Sequence, residues 1–175
     1  MLIRNYGLFW KREDVYWGRQ KSAGHLLGIN AGLKKTDSVD FRQQVGFYAL
    51  YDDAFQLVYF GQAGRGNGQT LYNRLKTHTT DHLAERWSRF SWFGIKYVKK
   101  SDGKLSAKPN KAQGDLLNFI DQTEAIVLAV AEPPNNLQGG RFGKAVQYLQ
   151  DRDEEKLGPS PEDKLTEVYN RLQST

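Results

Sequence analysis

The sequence predicts an α+β fold: a small central antiparallel sheet flanked by helices, with a β-rich segment before it and helices after it. Three observations lead there. Two β-rich runs, 45–51 and 56–60, are separated by the acidic turn Asp52-Asp53-Ala54-Phe55, which reads as a hairpin. Helical periodicity appears at 70–78, 115–131 and 161–172. Strands and helices follow one another without regular βαβ alternation, which argues against a doubly wound parallel sheet.

Taken in order, residues 1–44 alternate short apolar groups with glycine and charge, as in Leu8-Phe9-Trp10 and Val15-Tyr16-Trp17, and predict one or two β-hairpins. After the central hairpin comes Gly61 to Gly68, a loop with four glycines and Arg65. Such a loop lets backbone approach an anion, although it lacks the Gly-Lys-Ser/Thr ending of a P-loop. Thr70 is placed to cap a helix starting at Leu71, with Leu71, Arg74, Leu75 and His78 on one face. A short helical piece is expected around 81–87, then a strand over 90–98. The lysine-bearing stretch 99–111 reads as an exposed loop, positioned to meet a polyanion. A helix follows from Asp115 to Ala131, ended by Pro133-Pro134, and a shorter helix is expected around 144–153. The last helix carries its own start signal, Ser160-Pro161 with Asp163, and an apolar stripe of Leu165, Val168, Tyr169 and Leu172. Packing on the chain's own core is the first expectation for that stripe, and a homodimer contact the second.

Of the 175 residues, 39% are apolar and 13% aromatic, enough for a sizeable core. There is no cysteine, so disulfides and cysteine-ligated zinc are excluded. No apolar run approaches the roughly 18 residues of a membrane span. The expectation is a cytoplasmic protein with neither anchor nor signal peptide. Net charge is +5. From Asp151 onward seven acids face four bases, leaving −3, so the preceding 150 residues carry +8. A basic body with an acidic tail points to a polyanionic partner.

Two predicted helices place polar groups where the pattern calls for apolar ones. On the helix from Asp115, Glu124 interrupts a stripe of Leu117, Ile120, Val127 and Ala131. A half-buried carboxylate is costly unless paired, and a divalent cation or a salt bridge would each resolve the conflict. Arg74 and His78, four residues apart, aim at the same place. Arginine can hold a phosphate through two parallel hydrogen bonds, and histidine can exchange a proton near neutral pH. A helix flank packed beneath a sheet edge would give the same pattern. Asn135-Asn136 follows the double proline, a position that turns alone can explain.

Gly46-Phe47-Tyr48 and, ten residues on, Tyr59-Phe60-Gly61 resemble the paired signature of the GIY-YIG nucleases, with Phe in both places where the family name has Ile. Arg74 with His78, Glu124 and Asn136 resemble the family's remaining site residues, in family order. The resemblance covers roughly residues 44–145. It implies a nuclease core over 45–145, an N-terminal β-rich extension over 1–44 and a C-terminal helical extension over 146–175. In excision-repair members a lysine often follows the second tyrosine by three residues; here that position is Gln62.

The activity so implied is metal-dependent endonucleolytic hydrolysis of nucleic acid, with DNA favoured over RNA. Tyr48, Tyr59, Arg74, His78, Glu124 and Asn136 would be catalytic, with Asn135 one residue from the Asn136 assignment. Glu124 would hold one Mg²⁺, replaceable by Mn²⁺, acting as a Lewis acid. Arg74 would stabilise the transition state. Tyr59 would activate or position water, helped by Tyr48 or His78. Gly61, Gln62, Arg65 and Lys76 would contact substrate. Two alternatives stay open: a weak or inactive nucleic-acid-binding module on the same fold, and a ribonuclease.

Overall fold

The computed structural model describes residues 2–19, 22–33, 37–64, 69–108, 116–131 and 142–173, with backbone alone for 116–121. Seven strands form one mixed sheet: β1 (Asn5–Lys11), β2 (Leu27–Asn30), β3 (Val39–Asp40), β4 (Gly46–Tyr51), β5 (Leu57–Ala63), β6 (Arg89–Gly94) and β7 (Val146–Gln150). Their order across the sheet is β3-β2-β7-β1-β6-β4-β5. Four helices accompany it: α1 (Leu71–Thr77), α2 (Leu116–Ala131), α3 (Glu154–Leu157) and α4 (Pro161–Gln173). The α+β class is as expected, but the sheet is larger than a small antiparallel one. β1 and β7 pair in parallel, and the segments 1–44, 45–145 and 146–175 all supply strands to it.

The central hairpin forms where local signals placed it. Asp52 turns it with its own carboxylate, whose Oδ1 accepts from the backbone N–H of Ala54 at 2.9 Å and of Gln56 at 2.8 Å. Gly46 begins β4 at φ +147°, and a Cβ there would strike the Phe93 carbonyl on the neighbouring strand. β6 runs antiparallel to β4 with Tyr48 opposite Trp92, then stops at Gly94 rather than continuing to Val98. The reason is a side chain. Gln44 Oε1 accepts from the Lys96 N–H, and Gln44 Nε2 donates to the Lys96 carbonyl, each at 3.0 Å, taking the place of a strand partner.

Two further expected elements differ, and a third forms but packs differently. The stretch 144–153 is the strand β7 followed by the short helix α3. Tyr148 is buried against Phe41, and β7 finds backbone partners on both sides, in β1 and β2. Residues 81–87 form turns rather than a helix. The α4 capping box is present: Asp163 N–H donates to Ser160 Oγ at 3.1 Å, and Ser160 N–H to Asp163 Oδ2 at 3.2 Å. Its apolar stripe is not packed on the core, since Leu165 and Leu172 are 70% and 73% exposed.

Successive residues of β4 point to opposite faces of the sheet. Tyr48 and Leu50 enter a core with Trp10, Leu71, Leu75 and Trp92. Ala49 and Tyr51 enter a second core with Ile3, Phe93 and the buried face of α2. No described helix is long and apolar enough to cross a membrane.

Candidate active site

The site is built on the first of those faces. Antiparallel register sets Tyr48 opposite Gly61 and Leu50 opposite Tyr59, so both tyrosines project to the same side. Tyr48 is fully buried and Tyr59 half-buried, their ring centroids 6.0 Å apart. Gly61 makes room for this pair. A Cβ at that position would lie 2.5 Å from Tyr48 Oη and 2.6 Å from Tyr59 Cε1. The glycines of both triplets therefore have physical reasons: one permits close strand pairing, the other the seat of a ring.

Helix α1 supplies the next two side chains. Thr70 Oγ1 accepts from Asn73 N–H at 3.3 Å, capping the helix as expected, and Leu71 N–H donates to the Gln44 carbonyl at 2.8 Å. Leu71 and Leu75 are buried beneath the sheet. That packing turns Arg74 and His78 toward the tyrosines. His78 is 4% exposed, and its Nε2 lies 2.8 Å from Tyr48 Oη. Its ring centroid is 5.0 Å from that of Tyr59. The His78 carbonyl accepts from Trp87 Nε1 at 2.9 Å, which fixes the helix end.

Sequence reasoning missed one member of this cluster. Asp81 Oδ2 lies 2.7 Å from His78 Nδ1, and Asp81 Oδ1 accepts from Leu83 N–H at 2.8 Å. The available signal was an aspartate three residues after the histidine at a helix end, where Asx turns are common. Burial opposes ionisation of Asp81, but the Leu83 N–H and His78 outweigh it and hold the carboxyl below its ordinary range.

Two further groups set the electrostatics. Burial pushes the Tyr48 phenol up to about 12, while the Arg74 guanidinium opposes that rise through hydrogen bonding and charge. Contact with Tyr48 and then Tyr59 raises Arg74 itself, so it is a fixed cation. Arg74 Nε is buried with no hydrogen-bond partner among the described residues. The result is a buried phenol, a half-buried phenol, a fixed cation and an imidazole backed by a carboxylate, all around one point.

The other expected site residues lie elsewhere. Glu124 does not interrupt a buried stripe: α2 buries Gln122, Ala125, Ile126 and Val130, while Glu124, Val127 and Ala131 are exposed. The helix is oriented by Gln122, whose Oε1 accepts from the Leu2 and Ile3 N–H groups at 2.7 Å each. Because α2 packs on Ala49, Tyr51 and Phe93, it lies across the face opposite Tyr48. Gln62 pairs with Phe47, so it is exposed on that opposite side as well. Lys76 is exposed, its ammonium over the Tyr72 ring at 5.8 Å from the centroid. Arg65, Asn135 and Asn136 lie outside the described residues.

The donors described do not assemble a metal site. They include no group of three or more His, Cys, Asp and Glu side chains suited to an ion. The carboxylate in the tyrosine cluster is Asp81, already engaged by His78 and Leu83, and Glu124 stands across the sheet. An ion held by Glu124 beside Tyr48 and Arg74 does not fit this arrangement of the described residues. Compared with known proteins, the chain matches no family model, no curated protein and no solved structure.

Proposed function

We propose that this protein is an endonuclease that hydrolyses phosphodiester bonds in nucleic acid, DNA first. The observation that carries the reading is the convergence of Tyr48, Tyr59, Arg74 and His78 from two strands and a helix onto one face of the sheet. These residue types suit in-line attack by water on a phosphate. Arg74 supplies a permanent positive charge for the phosphorane that builds up in the transition state. Its unpartnered Nε is a donor in keeping with an anionic ligand.

A phenol that titrates near 12 is not a standing base at neutral pH. The cluster suits a relay instead. Water gives a proton to Tyr59 Oη as the Tyr59 proton passes to Tyr48 and the Tyr48 proton passes to His78 Nε2. The hydroxide oxygen bonds to phosphorus, and the leaving oxygen departs with the electron pair of the broken P–O bond. Each phenol stays neutral overall, and the charge ends on the imidazole.

Dependence on Mg²⁺, with Mn²⁺ as a substitute, belongs to the proposal through the family resemblance. No step is routed through the ion, because Glu124 is not placed with the cluster. Charge distribution supports a nucleic-acid substrate. Arg4, Arg42, Lys99, Lys100, Lys104 and Lys144 line one groove, against three aspartates. The lysine-bearing loop thus contributes to a basic surface of the kind that tracks a phosphate backbone.

The test is nicking of supercoiled plasmid by the full chain in Mg²⁺, in Mn²⁺ and in EDTA, with structured RNA in parallel. The expected result is metal-dependent conversion to open circles that EDTA abolishes. Cleavage of RNA alone would make the protein a ribonuclease. Salt-dependent retention of DNA with no cleavage of either polymer would leave a binding module.

A further inference from the structure

We infer that Asp81 is a positioning residue that holds His78 in the tautomer able to receive the Tyr48 proton. This rests on the endonuclease reading for its catalytic meaning, though not for its chemistry. An ionised carboxylate can only accept hydrogen bonds. Asp81 Oδ2, 2.7 Å from His78 Nδ1, therefore requires a proton on Nδ1. In the neutral imidazole that leaves a lone pair on Nε2, 2.8 Å from Tyr48 Oη. The Tyr48 O–H then donates to Nε2, and its oxygen lone pairs remain for Arg74 and Tyr59, which both contact it. In the opposite tautomer Nε2–H would donate to Tyr48, and the relay would have no acceptor at its end.

The pieces around His78 support one direction of proton flow. Among the described residues, the charged and titratable groups beside it are Tyr48 from β4, Tyr59 from β5 and Asp81 from the following turn, with Arg74 from α1 acting on both tyrosines. His82 also acts on Asp81 through its charge. Asp81 is the only carboxylate hydrogen-bonded to this cluster among the described residues, and it offsets the positive charge that His78 takes up. It is also held in place. Oδ1 is fixed by Leu83 N–H, and the segment carrying it is tied to the N-terminal part of the chain by Arg12. The Arg12 guanidinium donates to the carbonyls of Ala84, Trp87 and Thr79 and lies 4.8 Å from the Trp87 ring centroid.

Asp81→Asn separates the positioning role from a structural one. The amide oxygen can still serve Leu83 N–H and keep the turn. The amide NH₂ then faces His78 Nδ1 and demands a lone pair there, which favours the reverse tautomer. The measurement is ¹⁵N NMR of the histidine ring nitrogens in the full-length protein, followed over a rising pH series until the His78 signals no longer change and the ring is neutral. Wild type is expected to show a protonated Nδ1 and an unprotonated Nε2 at His78, and Asp81→Asn the reverse. Plasmid nicking by the variant should fall about 10²-fold in kcat with KM nearly unchanged.

A wild-type His78 protonated on Nε2 overturns the inference and needs no variant to show it. So does an Asp81→Asn protein with unchanged tautomer or unchanged kcat. If wild type cuts no nucleic acid, the endonuclease reading falls, and the ring nitrogens still decide whether Asp81 sets the tautomer.

Discussion

The two faces of the central strands are built from the same local pattern but arranged for different work. On one, Tyr48, Tyr59, Arg74, His78 and Asp81 form a continuous polar chain set into an aromatic core. On the other, Ala49, Tyr51 and Phe93 meet Ala125, Ile126 and Val130 in plain apolar packing, and the polar residue there, Gln122, serves backbone N–H groups. Glu124 belongs to the second side and faces away from it. Burying a polar group is costly unless its hydrogen bonds are made. The first face keeps several such groups buried and leaves Arg74 Nε and Trp92 Nε1 without a hydrogen-bond partner among the described residues, whereas on the second Gln122 Oε1 accepts from two backbone N–H groups near the chain's start. Buried polar groups that cost stability and leave an arginine donor over are in keeping with the proposed reactive site.

The comparison can be broken at several points. The largest effect should come from Arg74→Ala. Loss of the fixed cation should slow plasmid nicking by about 10²–10³-fold, with KM changed less than kcat. An unaffected rate would remove the first face from the chemistry.

Next is Gly61→Ala. The added methyl meets Tyr48 Oη and Tyr59, and overpacking of this sort costs about 1–3 kcal/mol. Urea unfolding should show that loss. Val127→Ala on the outer side of α2, where the side chain is 52% exposed, should stay within about 0.5 kcal/mol of wild type. Equal costs would mean that the Gly61 position is not pressed against the two tyrosine rings.

The third prediction concerns pH. The folded Tyr48 phenol sits at about 12, above its ordinary value of 10.0, so the folded state holds the proton more tightly than the unfolded chain. This contribution is fully present below the unfolded value and is lost as pH rises toward the folded one. Stability should therefore fall with alkalinity more steeply in wild type than in Tyr48→Phe, with the gap opening between 10.0 and about 12. The urea midpoint followed against pH checks it. Parallel curves for the two proteins would place the phenol outside the buried cluster.

The smallest effect is expected far from either face. Leu172→Glu on α4 should change stability by no more than about 0.5 kcal/mol, because the side chain is already 73% exposed. A loss of several kcal/mol would show that the stripe is covered in solution, and sedimentation would show whether by a second copy.

What could be read from the sequence follows the range of the forces involved. The β4–β5 hairpin, the Thr70 cap and the Ser160 capping box depend on neighbours within a few residues, and all three are where local chemistry put them. The shared face of Arg74 and His78 follows from helix geometry alone. The position of β7 does not, because it depends on partners more than a hundred residues away in β1 and β2. The orientation of α2 was hidden for another reason. Apolar residues surround much of that helix, so periodicity alone could not choose its inner face. Gln122 chose it by hydrogen bonding to Leu2 and Ile3. Asp81 went unnoticed because an aspartate after a helix reads as a turn residue. Its second oxygen does serve a turn, while the first serves His78.

The most direct measurement sets the two faces against each other in one assay. Arg74→Ala and Glu124→Ala are compared with wild type for nicking of supercoiled plasmid in Mg²⁺, each shown to be folded by thermal melting. With the chemistry on the Tyr48 face, wild type nicks, Arg74→Ala loses about 10²–10³-fold, and Glu124→Ala loses less than about 10-fold, a difference of more than 1.4 kcal/mol in barrier. Equal losses in the two variants, or an Arg74→Ala protein as active as wild type, would contradict a site confined to that face.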